Sequence, residues 1–217
     1  MPIKFKVIDY YNNGLHKPYF LKIEEPGIYY IVGPNGSGKT TLLHQLKGYA
    51  EKNKYKILSY SDITDGRSNG VDRAAYKGNY DDLATLMMSS EGESIYYNFS
   101  LFISSVGKAI REDNNIFVLI DGIDSGMSID KLREIRCFFD DILDKDIYEN
   151  CKSFYNKKFK QIYVFVTANN FELVRGDVYR INPYNGKRVN FKSYNAFEKY
   201  IINYRNKFPL IEKGDGK

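Results

Sequence analysis

The sequence predicts an α/β fold: a mostly parallel sheet flanked by helices, with an N-terminal antiparallel hairpin and a small helical insertion. Three observations predict it. Ile116–Ile120 and Ile162–Val166 are short apolar runs bounded by polar residues, the pattern of strands buried on both faces. Segments with apolar residues at helical spacing lie between such runs, as crossover connections require. At the N-terminus, Ile3–Asp9 and Pro18–Glu24 alternate apolar and polar residues around Asn12-Asn13-Gly14, a hairpin turn signal.

Taken in order, Gly27–Val32 is a third strand, rich in Ile, Tyr and Val. Gly33–Gly38 breaks the pattern, and Thr40–Asn53 resumes it as a helix carrying Leu42, Leu43, Leu46 and Tyr49. Tyr55–Tyr60 reads as a strand, and Thr64–Tyr80, dense in Gly, Asn and Asp, as a loop. Helices are expected at Asp81–Met88, Ser94–Arg111 and Ile129–Leu143. Asp177–Ile181 and Arg188–Phe191 flank Asn185-Gly186 as a second hairpin would. Ser193 is placed to cap a last helix containing Phe197, Tyr200, Ile201 and Tyr204.

At 217 residues the chain is expected to form one domain, 1–217, with an insertion at Thr64–Ser94 and a basic hairpin–helix region at Asp177–Lys217. A composition 43% hydrophobic and 27% charged is ordinary globular usage and argues against disorder. No apolar run approaches the roughly 20 residues of a membrane-spanning helix, and Met1–Asn13 holds no signal-type apolar segment. Cys137 and Cys151 make neither a disulfide framework nor a metal-binding pair, so a cytoplasmic location is expected. The net charge of +5 falls in Asp177–Lys217, with nine Lys/Arg against four Asp/Glu. Such a region contacts nucleic acid or a membrane surface, or is simply a solvated surface. His16 and His44 lack metal-ligand spacing.

Gly33-Pro34-Asn35-Gly36-Ser37-Gly38-Lys39-Thr40 matches G-x-x-x-x-G-K-[ST] and stands after a strand and at the opening of a helix. The glycines let backbone N–H groups turn inward around phosphates, and the helix N-terminus adds positive potential. Lys39 is the expected partner of β- and γ-phosphates, and the Thr40 hydroxyl a ligand of Mg²⁺. Asp121 closes the run Ile116–Asp121, where a carboxylate can hold Mg²⁺ through water; the alternative is an aspartate capping the next turn.

Residues 33–41 then resemble the Walker A motif of ABC-type ATPases, including soluble members of chromosome maintenance and DNA repair. Thr41 belongs to that motif. Asp121-Gly122-Ile123-Asp124-Ser125-Gly126-Met127-Ser128 is similar to their Walker B running into the D-loop. Ser89-Ser90-Glu91-Gly92-Glu93 resembles their signature motif, and Thr167-Ala168-Asn169-Asn170 stands where their switch-histidine loop follows a strand. The resemblance spans about residues 27–175 and implies ATP and Mg²⁺ as ligands. It also implies an ATP-dependent homodimer in which Ser90 and the Gly92 amide meet the nucleotide of the opposite subunit. Taken alone, Ser89–Glu93 reads equally well as a helix-capping box.

Two positions depart from the family pattern. Gly122 stands where a glutamate polarises the attacking water, and Asn169 where the switch histidine stands. Asp124 is then a candidate catalytic carboxylate, with Glu91 or Glu93 of a partner subunit as others. The glutamine expected after the next strand is absent from Tyr60-Ser61-Asp62, leaving Ser61 or Asp62 as the metal-side group. Tyr10 or Tyr11 is a candidate for stacking on adenine. The expected function is an ATP-binding switch with slow hydrolysis and an unidentified protein partner. Two alternatives are a non-hydrolysing ATP sensor and a small-molecule phosphotransferase using Arg67 and Arg73.

Overall fold

Five parallel strands form the frame that positions the site, in the order β4-β5-β6-β3-β7. They are β3 (Gly27–Val32), β4 (Lys56–Ser61), β5 (Asn115–Asp121), β6 (Gln161–Ala168) and β7 (Tyr179–Ile181). A separate two-stranded antiparallel sheet pairs β1 (Ile3–Val7) with β2 (Tyr19–Ile23), in the register Ile3↔Ile23 and Val7↔Tyr19. The helices are α1 (Lys39–Lys52), α2 (Asp62–Asp65), α3 (Glu91–Glu112), α4 (Ile129–Ile142), α5 (Phe171–Val174) and α6 (Tyr194–Lys207). This computed structural model describes residues 2–8, 17–65, 91–113, 115–124, 126–142 and 161–207. The expected Asp81–Met88 helix and most of the expected 64–80 loop lie outside them.

Alternate residues of each central strand feed two cores. On one face Tyr30, Val32, Val118, Ile120, Val164 and Val166 pack with α3, α4 and α6. On the other, Ile31, Phe117, Leu119 and Phe165 meet Leu42, Leu43 and Leu46 of α1 and the inner face of β1–β2. Strands enclosed on both sides must be apolar throughout, which explains the two unbroken runs. No helix among the described residues is long and apolar enough to cross a membrane.

Three local expectations change. Thr64 falls in α2 rather than in a loop. The C-terminal hairpin shrinks to one antiparallel bridge, Ile181↔Arg188, because β7 pairs in parallel with β3. Beyond the bridge, Phe191 turns inward against Phe197 and Tyr200 of α6 instead of extending a strand. The capped α6 begins as expected, with Ser193 Oγ accepting the Ala196 amide at 3.3 Å.

Candidate functional site

The site gathers at the carboxyl ends of the parallel strands, where the chain leaves β3, β5 and β6 in successive loops. Residues 33–38 turn tightly between β3 and α1, with Gly36 at φ 79° and Gly38 at φ 87°. Both lie in the left-handed region that a side chain resists. Gly33 is held by crowding: a Cβ there would lie 2.5 Å from Ser37 Oγ. Pro34 accepts the Ser37 amide at 3.1 Å, while Asn35 and Gly36 at the crest are exposed. Gly38 caps α1 without a side-chain acceptor, so the first amides of the helix face outward from the loop.

Lys39 lies under this loop, 8% exposed, donating from Nζ to Gly33 O at 2.7 Å and Pro34 O at 3.0 Å. Burial lowers its pKa to about 8, against the pull of the Asp124 and Asp121 carboxylates. The next residue, Thr40, donates from Oγ1 to Asp121 Oδ2 at 2.8 Å, joining the P-loop helix to the end of β5. Thr41 lies half-buried beside it.

Asp121 is held from a second side by a residue the motifs did not single out. Thr167, buried on β6, donates to Asp121 Oδ1 at 2.6 Å and accepts the Gly122 amide at 3.0 Å. Asp124, the candidate catalytic carboxylate, ties two loops together. Its Oδ2 accepts the amides of Asn169 at 2.5 Å and Asn170 at 2.7 Å, and its Oδ1 accepts Asn169 Nδ2 at 3.4 Å. The loops after β5 and β6 are thus tied together, and the Asn169 side chain turns toward Asp124. Asn170 then caps α5 by accepting the Glu172 amide at 2.9 Å.

On the far side of Asp121, parallel register pairs Ser61 with Asp121, so β4 delivers Asp62 beside Gly122. Gly122 has φ 75°, and a Cβ built on it would lie 3.3 Å from Asp62 Cβ. Gly92, in the first turn of α3, abuts Gly126 in the same way: its Cβ would lie 2.8 Å from Gly126 O. The signature-like and D-loop-like segments therefore pack against each other within one chain, with Glu93 exposed. Ser89, Ser90, Ser125, the Glu91 side chain, Tyr10, Tyr11, Arg67 and Arg73 lie outside the described side chains.

Aromatic residues brace the loop from behind. Tyr200 donates to Val32 O at 3.0 Å and Tyr204 to Ser37 O at 3.3 Å, both from α6. Pro183 Cγ lies 3.4 Å from the Cβ position of Gly33, and Pro183 O accepts the Tyr19 hydroxyl at 2.7 Å. The three hydrogen bonds join positions more than 160 residues apart, which no local motif encodes.

The donor set suits a nucleoside triphosphate with a hard cation. Thr40 and Asp121 offer converging oxygen ligands of the kind Mg²⁺ takes in small number beside phosphate oxygens and water. Lys39, whose charge is disfavoured by burial, gains from an anion above it. Ser37 Oγ is buried with no hydrogen-bond partner among the described residues, and the turned loop presents backbone N–H groups beside it.

A family model described as ABC transporter matches residues 17–97, covering β2, β3, the P-loop, α1 and β4. A solved nucleotide-free ATP-binding cassette from an ABC transporter aligns with a TM-score of 0.51 at 12% identity. The alignment covers 96% of this chain and 99% of that one. No curated protein matches the sequence. Fold and site define a P-loop protein with an ATP-binding cassette architecture. Over residues 17–97 the chain is similar to the ABC transporter family model, and it shares the fold of that ATP-binding cassette.

Proposed function

We propose that this protein binds Mg–ATP at residues 33–41, uses ATP to close a dimer of two copies, and hydrolyses the nucleotide slowly. The observation that carries the proposal is the 2.8 Å contact of Thr40 Oγ1 with Asp121 Oδ2 beside the buried Lys39. P-loop and β5 there bring together the hydroxyl, carboxylate and ammonium that triphosphate recognition requires. When bound, Mg²⁺ supplies charge neutralisation along the phosphates. Lys39 would exchange its two loop carbonyls for phosphate oxygens, and the loop Asn35–Gly38, exposed at Asn35 and Gly36, would donate amides. Calorimetry of wild type and Lys39→Ala with Mg–ATP tests this: binding should be lost in the variant, and equal affinity would refute it.

Dimer closure rests on the signature-like Ser89–Glu93 and the D-loop positions Ser125 and Gly126. The packing of Gly92 on Gly126 supports their acting as one surface. Sedimentation with a non-hydrolysable ATP analogue should show a shift to dimer that Ser90→Arg prevents. A wild-type monomer with ATP demonstrably bound would refute it.

A non-hydrolysing sensor is favoured by the engagement of Asp124 with two backbone amides and the Asn169 side chain. Wild-type phosphate release no greater than that of Lys39→Ala would establish the sensor. The basic C-terminal region offers exposed Lys187 and Lys192 to nucleic acid, whereas Arg188 pairs with Asp177 at 3.5 Å and lies over Tyr179. Filter binding at low and moderate salt tests that contact through counterion release.

A further inference from the structure

The two-stranded sheet β1–β2 has one face in the core and one in water. Ile3, Val7, Leu21 and Ile23 turn inward and are 6% exposed or less. Lys4, Lys6, Phe20 and Lys22 alternate with them and are exposed. Antiparallel register places Lys4 opposite Lys22 and Lys6 opposite Phe20, so the four side chains mark the corners of a rectangle. Its sides are about 5 Å across the strands and about 7 Å along them. Phe20 is 65% exposed, more than any other large apolar side chain among the described residues.

The chain's own packing gives no reason for this arrangement. Lys4 directly opposite Lys22 is a like-charge pair, which destabilises a sheet. Phe20 leaves its ring in water, with Lys4 Nζ 5.8 Å from the ring centroid. Of the carboxylates that follow β2, Glu24 is taken by Lys22 at 2.5 Å, and Glu25 stands exposed at the same end. Lys4 and Lys6 have no ion-pair partner among the described residues. The 182–187 turn sits against β2: Pro183 O accepts the Tyr19 hydroxyl at 2.7 Å, and a Cβ on Gly186 would lie 2.5 Å from Tyr19 Cε2. It brings the exposed Lys187 to the border of this sheet.

A single ring among ammoniums suits a ligand that carries aromatic faces and anions in alternation. Membrane anchoring scales with the apolar area inserted, and one ring flanked by lysines offers little of it. A duplex hides its base faces in its own stack, whereas a single strand offers both a base face and phosphates. We infer that the outer face of β1–β2 binds single-stranded nucleic acid, with a base stacked on Phe20 and the adjoining phosphates on Lys4 and Lys6. This face is separate from residues 33–41, so the inference does not depend on ATP binding there.

The test is fluorescence anisotropy of a short labelled oligothymidylate with the full chain, over a series of salt concentrations. Log affinity should fall linearly with log salt, by about 0.7 for each phosphate contacted in a single strand. Combining Lys4→Gln with Lys6→Gln should weaken binding at low salt and reduce that slope by about 1.4. Phe20→Ala should weaken binding about tenfold, the loss of one stacked base, and leave the slope unchanged. Phe20→Tyr should bind as wild type does, whereas Phe20→Leu, apolar but without a stacking face, should behave like Phe20→Ala. On an abasic strand of equal length the Phe20 variants should match wild type. All these side chains are exposed, and thermal melts check that each variant is folded. No binding by wild type at low salt overturns the inference. So does an unchanged slope in the lysine variant, which would place the strand on the C-terminal lysines, or wild-type affinity in Phe20→Leu. Capture of wild type by phosphatidylserine vesicles but not by oligothymidylate would assign the face to a membrane instead.

Discussion

Thr167 grips Asp121 from the neighbouring strand, donating to Oδ1 at 2.6 Å while its own oxygen accepts the Gly122 amide at 3.0 Å. One buried hydroxyl thus orients the Asp121 carboxylate and satisfies the first amide of the loop that follows. Asp121 Oδ2 is left for Thr40.

Thr167→Val keeps the shape and removes both bonds. Loss of a hydrogen-bond partner from buried or half-buried polar groups costs about 1–3 kcal/mol, so denaturant melts should show a destabilisation of that size. Mg²⁺-dependent ATP affinity should fall by about tenfold, whereas affinity measured in excess chelator should change little. Thr167→Ser should restore both properties. An unaltered Mg²⁺ dependence in Thr167→Val would remove this positioning role.

Lys39 makes the free protein sensitive to pH. Its folded pKa, lowered to about 8 from 10.5, means that between those values the unfolded chain binds more protons than the folded one. Stability contributed by this group therefore rises with pH from about 8 toward 10.5, and its cost is fully present below about 8. At about 1.4 kcal/mol per pKa unit, that cost is on the order of 3 kcal/mol. Melts at pH 7.5–9.5 should show a rising limb that Lys39→Met flattens. Phosphates restore the charged form, so Mg–ATP binding near pH 8 should take up protons. Calorimetry in buffers of different ionisation enthalpy measures that uptake.

Local signals carried the parallel strands, the loop at residues 33–40, α1 and Asp121, because each is written in a short run of residues. Ile116–Ile120 could hardly be anything but a buried strand, and Gly38-Lys39-Thr40 announces its helix start. Thr167 was named only as part of a loop, since its meaning lies in a contact with Asp121, 46 residues away. Asp62 acquired its place from strand register, and α2 and α5 are too short for periodicity to reveal. Asn185-Gly186 does make a turn, but the second hairpin keeps only the Ile181↔Arg188 bridge while β7 pairs with β3 on its other edge. No sequence pattern shows that Asn169 and Asn170 offer their amides to Asp124.

Gly92 is a packing requirement at the start of α3. A methyl there would approach Gly126 O to 2.8 Å, and that backbone carbonyl cannot swing aside as a flexible side chain would. Overpacking of this kind typically costs 1–3 kcal/mol. Gly92→Ala should lower the melting temperature and weaken analogue-induced dimerisation together, because α3 and the 126–128 loop are pushed apart. Sedimentation and thermal melts on one preparation check both. A stable variant that dimerises normally would show that the loop yields.

The C-terminal helix braces the loop at residues 33–38 although it contributes nothing to the motif. Burial pushes the Tyr200 and Tyr204 hydroxyls well above the ordinary tyrosine range, so both remain donors throughout the working pH range. Tyr200 holds Val32 O at the end of β3, and Tyr204 holds Ser37 O within the loop itself. The rings lie 6.0 Å apart, with Tyr184 edge-on to Tyr204 at 6.3 Å, so the two hydroxyls are anchored in one aromatic cluster. Phenylalanine at either position preserves the ring and deletes one bond, for a cost of about 0.5–1.5 kcal/mol in stability. The effects on ligand binding should diverge. Val32 O belongs to a strand also fixed by β6 and β7, so Tyr200→Phe should leave Mg–ATP affinity within about twofold. Ser37 lies in the turn that must hold its shape around phosphates, so Tyr204→Phe should weaken affinity several-fold at comparable stability. Calorimetry beside denaturant melts separates the two variants. Equal affinity losses would mean that α6 supports the site only through overall stability.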